Sequence, residues 1–126
     1  MRALLLGCYE LGHPPLSLAW PLAFLRGAGL QAAGLDLSVE AFSEQAVVRA
    51  DLIGIAAPMH TALRLGVQAA QRARALNPRA HICFHGSYAW LNADSLLEGP
   101  ADSITAGECE DAVVELARQT TSKPTT

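Results

Sequence analysis

The sequence predicts an α/β fold, a doubly wound five-stranded parallel sheet in the order 2-1-3-4-5. Three observations carry this. Short apolar runs alternate with helical-periodicity segments along the whole chain, which is the pattern of repeated strand–helix units. The stretch Asp51 to Thr61, DLIGIAAPMHT, holds an apolar run that is β-branched at its centre and stops at Pro58. Such a run reads as a strand buried on both faces, hence the middle of a parallel sheet. The segment behind it, Thr61 to Leu76, repeats apolar residues at helical spacing and is long enough to cover that strand. Of the two common strand orders for such sheets, 2-1-3-4-5 puts the Asp51 run in the centre.

Taken in order, Arg2 to Cys8 (RALLLGC) is a first strand, and Cys8 to Pro15 a loop marked by Gly12 and His13-Pro14-Pro15. A helix carrying Leu18, Leu22 and Leu25 should follow and end at Gly27 or Gly29. Pro21 either sits in its first turn or kinks it. Leu30 to Leu37 (LQAAGLDL) is a weaker strand near an edge, interrupted by Gly34. Ser38 to Ala50 contains a short helix, with Ser38 and Ser43 both suited to cap it.

After the central strand, the Thr61 to Leu76 helix shows a face of Leu65, Ala69, Ala73 and Leu76, widened by Leu63, Val67 and Ala70 and stopped by Asn77-Pro78. Ala80 to Phe84 (AHICF) is a fourth strand, released at His85-Gly86-Ser87 into a loop with Tyr88 and Trp90. Asn92 is placed to cap a short helix through Leu97. Ala101 to Ala106 is a polar fifth strand for the other edge, and Gly107-Glu108-Cys109-Glu110 turns into a last helix to about Arg118. Its acidic start and basic end suit the helix dipole. The domain should therefore span 1–119, with 120–126 a low-complexity tail or linker.

At 126 residues, 51% hydrophobic and 17% charged, the chain is one globular domain and not a disordered one. A net charge of −3 offers no basic face and argues against nucleic acid. The longest uncharged stretch, Leu11 to Leu25, holds three prolines and falls short of the roughly 20 apolar residues of a membrane span. Leu5-Leu6-Gly7-Cys8 looks like a lipoprotein cleavage box, but with Met1 to Gly7 before the cysteine it is expected to be a strand instead. The expected location is cytoplasmic. Cys8, Cys83 and Cys109 are too widely spaced for a disulfide framework or a zinc site, and no Cys-x3-Cys-x2-Cys cluster is present for an iron–sulfur centre.

In sheets of this class, ligands bind beyond the carboxyl ends of the strands. The turn after the first strand, GCYELG, lacks the G-x-G-x-x-G spacing, and no phosphate-loop Lys-Ser/Thr is present. His13, His60 and His85 all fall at predicted strand-to-helix turns on that rim. They are either an acid–base or metal group, or loop histidines bonded to backbone. His81, inside a strand, is structural on this reading, Asp51 lies at the opposite rim, and Trp20, Tyr88 and Trp90 are packing residues.

Four pieces together, PLSLAWPLAFLRGAGLQAAGLDL, ADLIGIAAPMHTALRL, LNPRAHICFHGSYAWLN and ADSITAGECEDAVVELA, resemble a known family. It is the N-terminal cobalamin-binding domain that precedes the catalytic barrel in many radical S-adenosylmethionine enzymes. The resemblance implies a flavodoxin-like, cobalamin-binding Rossmann-like arrangement. It also implies a cofactor site from four turns: Cys8, Tyr9, Glu10 and Gly12; Ala56, Ala57, Pro58, Met59, His60 and Thr61; Gly86, Ser87 and Tyr88; Gly107 and Glu108. A corrin is a broad plate, so the small residues among these let it lie close, and small residues in the last turns of the central strands would leave a slot for its nucleotide tail.

Family members with a cobalt-ligating histidine carry Asp-x-His-x-x-Gly after the first strand. Here Gly7 stands in the place of the Asp and Tyr9 in that of the His. The resemblance thus implies no catalytic residue, no protein metal ligand, and a cob(II)alamin whose tail base is displaced with no protein imidazole on cobalt. The third strand ends in Ala56 where many relatives have Ser, and His85-Gly86 replaces Gly-Gly after the fourth. An iron–sulfur cluster and S-adenosylmethionine would belong to an attached C-terminal barrel. The alternatives are a docking domain that has lost the cofactor, or a small enzyme using rim histidines and glutamates.

Overall fold

The apolar runs form a five-stranded sheet: β1 (Arg2–Gly7), β2 (Gln31–Asp36), β3 (Leu52–Ala56), β4 (His81–His85) and β5 (Ser103–Thr105). Every pairing is parallel and the order is β2-β1-β3-β4-β5, as expected. Among the described residues three helices lie between strands, α1 (Glu44–Arg49), α2 (His60–Leu76) and α3 (Ala93–Glu98). The computed structural model describes residues 2–7, 26–27, 29, 31–37, 42–56, 60–85, 89 and 91–105. The expected first helix falls outside these residues except at its end. There Arg26 and Gly27 are helical, and Gly29 turns the chain at φ 82°, a left-handed conformation that suits glycine. The expected last helix and the 120–126 tail also lie outside them.

All five residues of β3 are buried, because β1 and β4 flank it and both of its faces are covered. Side chains alternate across the sheet. On one face Leu4, Leu6, Ile53, Ile55, Ile82 and Phe84 pack with Val47, Leu63, Ala69, Ala70 and Ala73 of α1 and α2. On the other lie Leu5, Leu52, Ala56, Cys83 and His85, also buried, with Gly54 in their midst.

The buried stripe of α2 is Leu63, Gly66, Ala70 and Ala73, with Ala69 beside it. This corrects the expected face, since Leu65 is 40% exposed. Gly66 carries no hydrophobicity signal, yet the helix meets the sheet there. A Cβ on Gly66 would stand 2.8 Å from Ile55 Cγ2 and 3.4 Å from Phe84 Cε2. Ile55 is β-branched and cannot swing aside. Gly66→Ala is therefore expected to destabilise by about 1–3 kcal/mol through overpacking, despite a helix-propensity gain of about 1 kcal/mol. Urea denaturation checks this, and a variant more stable than the parent would show that α2 can lift off the sheet freely.

Polar ties close the amino end of the sheet. Asp51 accepts from the Arg2 backbone N–H at 2.8 Å, while its own N–H donates to the Arg2 carbonyl. This joins β1 to β3 and keeps Asp51 at the rim opposite the expected site. The Asn77 amide donates to the carbonyls of Val47 and Ala50 at 2.9 and 2.8 Å, satisfying the orphan acceptors at the end of α1. Arg74 donates to the Ala80 carbonyl and pairs with Asp102, which also accepts from the Ile82 N–H at 2.9 Å. Burial alone would raise the Asp102 carboxyl, but the Ile82 N–H, Arg74 and the charge of His81 together hold it below its ordinary range.

Of the two candidate caps for α1, Ser43 is the one used, its Oγ accepting from the Ala46 N–H at 3.2 Å. Asn92 occupies the N-cap position of α3, although its side chain makes no capping bond there. Among the described residues no helix is long and apolar enough to cross a membrane.

Candidate functional site

With the amino rim tied off, the carboxyl rim is where the strands release their chain. β1 ends at Gly7, β3 at Ala56, β4 at His85 and β5 at Thr105, with Ala56 paired to His85 and His85 to Thr105. The helix that follows β3 begins at His60, so His60 and Thr61 open α2 beside this rim. Ala56 is the small, buried last residue of the central strand. Of the other expected site residues, Cys8, Tyr9, Glu10, Gly12, Ala57, Pro58, Met59, Gly86, Ser87, Tyr88, Gly107 and Glu108 lie outside the described residues, as does His13.

His85 differs from its expected place. It is the last residue of β4 rather than part of the loop beyond, and is only 2% exposed. The period-2 alternation explains this. Ile82 and Phe84 face α2, so Cys83 and His85 face the other way, onto the side that holds Leu5 and Gly54. Counting AHICF as a strand stopped one residue early, because a histidine ends the apolar run in composition but not in space.

The surroundings of His85 decide its chemistry. Leu5, Gly54 and Cys83 form one row across β1, β3 and β4, and His85 follows Cys83 by two. From β1, Leu5 leans over Gly54 so far that a Cβ there would stand 2.6 Å from Leu5 Cδ2. From the other side the His85 ring reaches the same place, its Nε2 3.7 Å from that Cβ position. Gly54 is thus roofed by two side chains, which accounts for a residue without Cβ in a central strand. Nε2 of His85 is buried with no hydrogen-bond partner among the described residues.

Burial without a compensating charge lowers the His85 pKa to about 4, so the ring is neutral at pH 7. A neutral imidazole has one donor and one acceptor nitrogen and can serve either way at Nε2. The ring is thus buried at the rim and faces the side of the sheet that holds Leu5 and Gly54. His81, by contrast, is structural as expected, with Nε2 2.8 Å from Ser103 Oγ across β4 and β5.

A concavity lies beside α2, lined by Leu37, Phe42, Leu65, Gln68, Ala69 and Arg72. The one charge in it is committed. Arg72 stacks 4.2 Å above the Phe42 ring and pairs with Glu44 at 2.9 Å. Among the described residues no group of three His, Cys, Asp or Glu side chains stands close enough to hold a metal ion.

Comparison with known proteins places this geometry. The model of the B12 binding domain matches residues 2–117. No curated protein matches the sequence. In structure the chain is similar to a response regulator from Thermotoga maritima, at TM-score 0.69 and 14% identity over 97% of this chain and 98% of that one. It is also similar to a flavodoxin from the domain Archaea, at TM-score 0.68 and 10% identity over 96% and 99%. A CheY-like receiver domain protein from Methanospirillum hungatei JF-1 gives 0.63 and 14% over 95% and 93%. At these identities the likeness is one of fold alone.

Proposed function

The chain belongs to the B12 binding domain family, and from that membership we propose that it is the cobalamin-binding module of a larger radical S-adenosylmethionine enzyme. The single observation that carries the cobalamin reading is the family match over 2–117, on a sheet whose carboxyl rim ends in small residues at Gly7 and Ala56. Among the described residues, Gly7 and Ala56 themselves add no bulk at the ends of β1 and β3.

On this reading the corrin rests on the turns after β1, β3, β4 and β5. Cys8, Tyr9, Glu10 and Gly12 supply the first, Ala57 to Thr61 the second, Gly86 to Tyr88 the third, and Gly107 with Glu108 the fourth. The cofactor would supply cobalt-centred chemistry; the chain would hold and orient it. A phenol with a pKa near 10 is protonated at neutral pH and a poor ligand, so Tyr9 would not replace the missing histidine. The iron–sulfur cluster and S-adenosylmethionine would be held by an attached C-terminal barrel, and this domain alone would catalyse nothing.

A docking domain that has lost its cofactor is the second reading, favoured by His85 in the place of a small residue. The acid–base reading is weakened by the same observation, since one of its histidines is enclosed. Protein produced with hydroxocobalamin is expected to co-purify coloured, near one corrinoid per chain. At a free ligand concentration of about 100 Kd it should gain about 2.7 kcal/mol of stability. Colourless protein with an unchanged melting temperature would decide for the docking domain.

A further inference from the structure

We propose that a cavity lined from β1, β2 and α1 binds a small organic anion. Its carboxylate or phosphate head is shared by Arg2 and Arg49, and its short apolar body lies against Leu4, Ala33 and Ala46. The cavity measures about 240 Å3, and Gln45 lines it as well. Arg2 opens β1 at the amino rim of the sheet, so this site is separate from the carboxyl rim and does not depend on the cobalamin reading.

The register assembles the wall. Leu4 pairs with Ala33, and Arg2 lies two residues before Leu4, so all three stand on one face of the sheet. Leu4 packs there with Val47 and Ala50, which brings α1 over the same face. The backbones that carry the two arginines are tied together. Asp51, two residues after Arg49, donates to the Arg2 carbonyl and accepts from the Arg2 N–H, each at 2.8 Å. The Asn77 amide holds the Val47 and Ala50 carbonyls at the same end of α1.

Exposed arginines are ordinary on a protein surface. The setting separates this pair. Arg72 is spent on Glu44 and Arg74 on Asp102, whereas no carboxylate among the described residues pairs with the guanidinium of Arg2 or Arg49. Both forks line one cavity, and a guanidinium fork matches a carboxylate or phosphate in two parallel hydrogen bonds. The Gln45 amide adds further donors beside them. Sites for drug-sized molecules run to roughly 300–1,000 Å3, so this smaller one suits an anion of a few carbon atoms rather than a nucleotide or a corrinoid.

The test titrates the 15N-labelled full chain with butyrate, butyl phosphate, inorganic phosphate and butyramide at one ionic strength, followed by nuclear magnetic resonance. At least one of butyrate and butyl phosphate should give saturable shifts at Ala33, Ala46 and Arg49, and the tighter of the two identifies the head group. That anion should bind about tenfold or more tighter than its stripped counterpart: butyramide without the charge, inorganic phosphate without the apolar body. Arg2→Gln and Arg49→Gln should each weaken it by about tenfold or more, as loss of a charged hydrogen-bonding partner does. Arg64→Gln, on α2 and outside the cavity lining, should leave it unchanged. Ala33→Leu, at an exposed position, keeps both charges and fills the apolar wall, and should also weaken binding about tenfold. Shifts that saturate with neither anion overturn the proposal. So does an equal loss in Arg64→Gln, which would mean diffuse attraction by charge. Ala33→Leu binding within about threefold of wild type overturns it too, since the arginines would then act without a cavity. If a variant fails to fold, which the same spectra show, the ligand series on wild type still decides.

Discussion

Acidification is expected to cost this fold about 2 kcal/mol by pH 5 and about 3 kcal/mol by pH 4, through His85 alone. The folded protein keeps the His85 ring neutral down to about pH 4, because burial excludes its charged form. The unfolded chain takes up that proton near pH 6.5. Between the two values the unfolded state binds more protons than the folded one, so stability rises with pH across that window and is lost as pH falls through it. Above about pH 6.5 neither state is protonated at this site and the effect vanishes. Asp102 acts in the same direction but lower, being held below its ordinary value in the folded state.

Urea denaturation at pH 7, 6, 5 and 4 reads the slope directly. His85→Met, which removes the titration and keeps an adaptable apolar side chain, should flatten the profile between pH 6.5 and 4 relative to wild type. Parallel profiles for the two proteins would show that His85 reaches water or a partner in the fold.

Gly54→Val should destabilise by about 1–3 kcal/mol, toward the upper end of what overpacking costs. The argument rests on which atoms would have to move. A lone Cβ would already meet Leu5 Cδ2 at 2.6 Å, and valine adds two more methyl groups toward the His85 ring at 3.7 Å and beyond. The tip of a leucine is usually easy to displace, but Leu5 is 0% exposed, so a shift of its tip presses on buried neighbours. Gly54 also sits in the middle of β3, a strand paired on one side with β1 and on the other with β4, so its backbone is held in the sheet. A variant melting within a degree of wild type would mean that the other face of the sheet has unfilled space.

How much of this was legible in the chain can be seen residue by residue. The order of strands followed from LIGIA being apolar without alternation, and from polar or interrupted runs at Gln31–Asp36 and Ser103–Thr105, which suit edges. The expectation that a ligand would bind at the carboxyl rim came from the same topology, since it depends only on strands being parallel. Gly54 was recognisable as a place of close approach because a glycine interrupts an otherwise β-branched run.

What approaches Gly54 was not recognisable. Leu5 lies 49 positions away in sequence and His85 31 positions away, and they meet only through the register that pairs Leu5 with Gly54 and Gly54 with Cys83. Gly66 was silent for a related reason: with no side chain it leaves no mark in a hydrophobic pattern, and only the packing of α2 on Ile55 and Phe84 shows that it is the contact point. Composition and periodicity thus determined the α/β class and the parallel order, because those depend on which residues are apolar and at what spacing. What fills the space over Gly54 was decided by tertiary structure alone, because it depends on which side chains from neighbouring strands lean over the same point.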